Sequence, residues 1–149
     1  MKITDQEILT SIFHETAKKL PYFATNNYFG NRRGLGNTDA WSHRYATQIC
    51  TAYRESALKL GLSSTQSMIR IRQLIAKGGL VAEKARPGQS FYFSLPESET
   101  KPMFERTMEL LANGGITKEP VSDVGFDELA ANITEMLVIE FGDKGKVAA

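Results

Sequence analysis

Residues 61–96 constrain the fold more tightly than any other part of the chain, because they spell a turn, a helix and a hairpin in immediate succession. Ser63 and Ser64 carry hydroxyls able to accept from the orphan amides of a helix start. A helix over 65–77 then puts Met68, Ile71, Leu74 and Ile75 on one apolar face. Gly78 and Gly79 stop it by supplying a left-handed C-cap residue and a tight exit. Two short runs, 80–84 and 90–95, flank Pro87-Gly88, a strong turn signal, so this part reads as a hairpin.

The helix carries Arg70, Arg72, Gln73 and Lys77, and the hairpin bears Lys84 and Arg86 near its tip. This segment resembles the recognition helix and wing of the winged helix-turn-helix family. The resemblance covers 61–96, reaches back into the preceding helix, and says little about either end of the chain. The chain departs from the family in leaving the helix through a glycine pair, where the family more often has a single glycine. The architecture implied is mainly α with a small β-hairpin: a winged helix-turn-helix core plus an N-terminal helix and two C-terminal helices. The function implied is sequence-specific binding of double-stranded DNA, as in a transcriptional regulator.

On that reading the face opposite the apolar stripe enters the major groove. It is centred on Gln66, Ile69, Gln73 and Lys77, with Arg70 at its edge. Gln66 and Gln73 can pair with adenine and Arg70 with guanine, while Thr65 or Ser67 reaches a phosphate or a thymine methyl. Ile69 has two readings. Either it touches a thymine methyl, or the helix is rotated so that Ile69 is core and Arg72 faces the groove. Lys84, Arg86 and Gln89 on the wing would contact phosphate or the neighbouring minor groove.

Charge along the chain agrees with this reading. The net charge is only +1, yet residues 32–90 hold ten Lys and Arg against three acids, and residues 91–149 hold five against eleven. The basic excess coincides with the winged-helix segment, and an acidic tail follows it. A single cysteine, Cys50, excludes an internal disulfide and suits a reducing compartment. A polar start and the lack of a long apolar run lead to the expectation of a cytoplasmic protein without a membrane partner.

Three segments follow in order. Residues 1–38 open with a capping box, Thr4-Asp5-Gln6-Glu7, and a stripe of Ile8, Leu9, Ile12, Phe13, Ala17 and Leu20 that Pro21 is expected to close. A long loop follows, with Tyr22, Phe23, Tyr28 and Phe29 pinning it to the core and a mobile basic tip at 31–36. Arg32 and Arg33 there are candidate DNA contacts, or plain surface. Residues 39–96 form the winged helix-turn-helix, beginning with a second helix over 40–60, broken or whole, near whose start His43 and Arg44 project. Arg44 is a candidate phosphate contact. Residues 97–149 supply two acidic helices, the first ended by Asn113-Gly114-Gly115 and the second spanning 126–141, joined by a linker over 116–124. They either complete the core, pair two copies into a homodimer on a palindromic site, or bind another protein.

No nucleophile-His-acid arrangement, phosphate loop or metal-ligand cluster stands out, so no catalytic residue, cofactor or metal is assigned. Three functions remain: a DNA-binding regulator, a winged-helix module that binds protein in a replication, partition or phage-host inhibitory complex, and, more weakly, an enzyme with a site around 31–44.

Overall fold

In the computed structural model the described residues are 3–28, 32–35, 51–52, 61–83, 92–116, 121–122 and 125–147. They are mainly helical, with four helices: α1 (Asp5–Phe23), α2 (Ser64–Ala76), α3 (Glu97–Asn113) and α4 (Phe126–Val147). Among the described residues no helix is long and apolar enough to cross a membrane.

Helix α1 begins as its sequence dictates. Thr4 is the N-cap, and its Oγ1 accepts from the Glu7 amide at 3.1 Å. Its far end departs from expectation, because the helix runs through Pro21 to Phe23. Proline lacks the N–H that would bond the Ala17 carbonyl four residues back. That carbonyl finds another donor. The Thr134 hydroxyl of α4 shares its one hydrogen between the Ala130 carbonyl at 2.9 Å and the Ala17 carbonyl at 3.3 Å, and so replaces the missing backbone bond in part. At the C-terminus the Thr25 hydroxyl donates to the Pro21 carbonyl at 3.1 Å.

Helix α2 starts at Ser63, whose Oγ accepts from the Gln66 amide at 3.1 Å. It ends in a complete Schellman motif. Gly79 N–H bonds the Leu74 carbonyl at 3.0 Å and Gly78 N–H the Ile75 carbonyl at 3.1 Å. Gly78, at φ +86°, is the left-handed residue of the pair. The same device ends α3, where Ile116 N–H bonds the Leu111 carbonyl and Gly115 takes φ +96°.

Two antiparallel sheets complete the fold. In one, β4 (Val81–Glu83) and β5 (Tyr92–Ser94) form the hairpin expected after α2, and β3 (Thr51–Ala52) adds to the other side of β5, giving the order β3-β5-β4. Thr51 pairs with Phe93 and Ala52 with Tyr92, so 51–52 is strand where a helix over 40–60 was expected. The rest of that segment, with Trp41, His43, Arg44 and Cys50, lies outside the described residues. The other sheet is β1 (Thr25–Tyr28), β2 (Arg32–Leu35) and β6 (Val121–Ser122), with β2 in the middle. The expected mobile tip therefore contains a central strand at 32–35, and the expected linker supplies its second neighbour through Arg33↔Val121 and Arg32↔Ser122.

The core forms two clusters threaded by one helix. The first turns of α1 contribute Ile8 and Ile12 to a cluster with Ile71, Leu74, Leu80, Phe93 and Leu95. Its later turns contribute Ala17, Leu20 and Phe23 to a second cluster with Met103, Phe104 and Leu111 of α3 and Phe126, Ile133 and Leu137 of α4. The rings of Phe23 and Phe104 meet edge to face at 5.4 Å. Buried side chains of this size each contribute about 1.5–3 kcal/mol. In this structure α3 and α4 complete the core of a single chain, and α1 ties that part to α2 and its hairpin. Tyr22 packs its ring on Phe126 at 5.3 Å and donates its hydroxyl to Asp127.

Candidate nucleic-acid interface

The orientation of α2 decides which of its side chains can meet a partner. Ser67, Ile71 and Leu74 are buried, while Met68 and Ile75 are half-buried at the flanks. The helix is therefore rotated from the expected face by enough to put Ser67 inside. Ser67 is 1% exposed and is removed from the set of groove contacts. Its small side chain fits between the larger apolar neighbours where periodicity alone favoured Met68.

The opposite face is exposed. It carries Thr65, Gln66, Ile69, Arg72 and Gln73. Ile69 is 52% exposed, so the two readings of that residue are decided in favour of the surface. Arg72 shares this exposed face with it instead of replacing it. Thr65, Gln66 and Gln73 supply neutral donors and acceptors beside them.

Two basic residues of the helix have a different engagement. The Arg70 guanidinium donates from an Nη to Asp5 Oδ1 at 2.8 Å, and the Lys77 ammonium donates to Asp5 Oδ2 at 3.0 Å. Asp5 sits in the first turn of α1, where the helix dipole also favours a carboxylate. The paired Arg70, and then Lys77, hold the Asp5 carboxyl below its ordinary value. One anion thus bridges two cations that were expected to face DNA. Arg70 is the less accessible, with a side chain 22% exposed against 66% for Lys77.

Other candidates fall elsewhere. Arg32 and Arg33 are in β2, the middle strand of the β1-β2-β6 sheet, away in sequence from α2, and only their backbone is described. Arg44, Lys84, Arg86 and Gln89 lie outside the described residues. The second acidic–basic network is at the C-terminal helices, where Arg106 donates to Glu140 at 3.0 Å and to Glu109 at 2.7 Å. Glu140, and then Glu109, raise the Arg106 pKa further. Asp5 as a bridge was missed in the sequence, although its acid in a capping box, facing an unusually basic helix, offered a signal of charge complementarity.

No family model matches the chain, and neither a curated protein nor a solved structure matches it.

Proposed function

We propose that this protein is a sequence-specific double-stranded DNA-binding protein, a transcriptional regulator, that reads the major groove with α2 and touches phosphates with the hairpin after it. The observation that carries the reading is the exposed stripe of Gln66, Ile69, Arg72 and Gln73 on a helix that leads straight into an antiparallel hairpin. Closure of that hairpin by β3, a strand upstream of α2, supports a winged-helix core, since a wing needs a sheet to anchor it. Gln66 and Gln73 suit adenine, Arg72 suits guanine or phosphate, and Ile69 suits a thymine methyl. Arg70 and Lys77 join as phosphate contacts when the duplex competes with Asp5 for them. A homodimer through the C-terminal helices extends the reading to palindromic sites, with the exposed Met136 and Ile139 of α4 as its contacts.

Selection of bound duplexes from a random pool tests sequence reading. Enrichment of a motif by the wild type, and loss of preference at one position in Gln73→Ala, is the expected result; recovery of no motif would contradict it.

A second reading is a winged-helix module that binds protein. It is favoured by the large apolar Ile69 in the centre of the exposed face and by the neutralisation of two nearby cations by Asp5. The selection separates the two, because a protein-binding face enriches no duplex.

A further inference from the structure

A cavity of about 550 Å³ opens where four helices come together: one flank of α1, the end of α2, the start of α3 and the end of α4. That volume is in the range of sites for small organic ligands. Leu9, Phe13, Met103, Val138 and Phe141 give it an apolar lining, and its polar groups include Glu99 and Lys77. The two charges differ in kind. The Lys77 ammonium is already engaged by Asp5 at 3.0 Å. Among the described residues the Glu99 side chain has no hydrogen-bond or ion-pair partner; it stands at the exposed mouth of the cavity, where the neighbouring apolar groups take some water from its carboxyl and raise its pKa. An unpaired carboxylate at the mouth of an apolar cavity attracts an incoming cation, and an apolar body bound beside it strengthens that attraction by displacing water.

We propose that this cavity binds a hydrophobic cation, an alkyl or aryl ammonium whose head pairs with Glu99 and whose apolar body lies against Phe13 and Phe141. An anionic amphiphile would meet the unpaired Glu99 while the nearby cation is occupied. A neutral apolar molecule would fill the space but leave the carboxylate without a partner. The aromatic rings add attraction for an ammonium over either alternative. This site is independent of what the exposed face of α2 contacts.

The test is calorimetric titration of the full chain with octyltrimethylammonium, octanol and octanoate, three probes of matched chain length and different head charge. The wild type is expected to bind the ammonium saturably and about tenfold more tightly than octanol, with octanoate weakest. Glu99→Gln is expected to erase the preference for the ammonium while retaining octanol binding. Thr10→Trp, which adds bulk to the cavity wall, is expected to weaken all three probes; Ser98→Trp serves the same purpose if the first variant melts early by circular dichroism. Octanoate binding more tightly than the ammonium, an unchanged preference in Glu99→Gln, or no saturable binding by any probe would overturn the proposal.

Discussion

The Asp5 carboxylate lies 2.8 Å from the Arg70 guanidinium, across a separation of 65 residues, and so fastens the first turn of α1 to the middle of α2. The same carboxylate takes the Lys77 ammonium, which makes Asp5 an internal competitor for any polyanion that approaches α2. Asp5→Asn removes the competitor and leaves both cations in place. Because pairs this accessible are worth about 0–1 kcal/mol each, the variant should lose little stability. Its affinity for duplex DNA should rise severalfold, measured by titration at fixed salt.

Asp5 also sets an acid limit. Its carboxyl is held below its ordinary value of 3.8, so the folded chain stays ionised where the unfolded chain binds a proton. The stabilisation is therefore complete above 3.8 and lost as pH falls through the lowered value. Urea midpoints of wild type and Asp5→Asn should differ at pH 6 and converge in strong acid.

Glu99 acts in the opposite sense. Partial loss of water at the cavity mouth raises its pKa above 4.5, so between 4.5 and the raised value the folded state holds a proton that the unfolded state has released. Stability then falls as pH rises from 4.5 through the raised value. Glu99→Gln should remove that fall. Its melting temperature should exceed that of the wild type at neutral pH, and the difference should vanish below pH 4.5.

The glycine pair after α2 gives a sharp contrast. Gly78 needs its positive φ of +86°, whereas at Gly79 an added Cβ would stand 3.7 Å from Leu9, an ordinary contact. Gly78→Ala should cost about 1–2 kcal/mol from left-handed strain. Gly79→Ala should change stability by less than about 0.5 kcal/mol. Equilibrium urea denaturation of the two variants checks this.

Thr134 and Pro21 form a thermodynamic cycle. Thr134→Val leaves the Ala17 carbonyl without its donor and should cost about 1–2 kcal/mol. With Pro21→Ala the backbone N–H is restored, and Thr134→Val should then cost about 0.5–1 kcal/mol less. Equal costs in the two backgrounds would show that the hydroxyl does not replace the missing bond.

What could be read from the sequence was what local chemistry determines. The Thr4 and Ser63 caps, the stripe from Ile8 to Leu20, the glycine exits and the hairpin after α2 depend on residues a few positions apart, and each has its structural counterpart. Long-range events were not legible. Strand 32–35 has Arg-Arg-Gly-Leu and no strong alternation, and it is fixed by pairing with Val121 and Ser122 far along the chain. Thr51–Ala52 becomes strand because Phe93 and Tyr92 offer it an edge, although the apolar spacing over 40–60 favours a helix. Pro21 does not stop α1, and part of its cost is offset by Thr134, 113 positions later by chain number. At the candidate interface the exposed positions of Gln66 and Gln73 followed from periodicity, whereas Ile69 had two readings that only the structure separates. The capture of Arg70 and Lys77 depended on Asp5 of α1, and the burial of Ser67 on packing beyond its own helix, neither of which a pattern within α2 could reveal.

The most direct measurement is fluorescence anisotropy of a labelled duplex across a salt series, for wild type and Asp5→Asn side by side. DNA binding predicts an affinity that falls linearly with salt on logarithmic axes, and a slope for Asp5→Asn steeper by up to about two units as Arg70 and Lys77 turn to phosphate. Failure of both proteins to bind duplex at low salt would contradict the DNA-binding account and leave the exposed face of α2 to a protein partner.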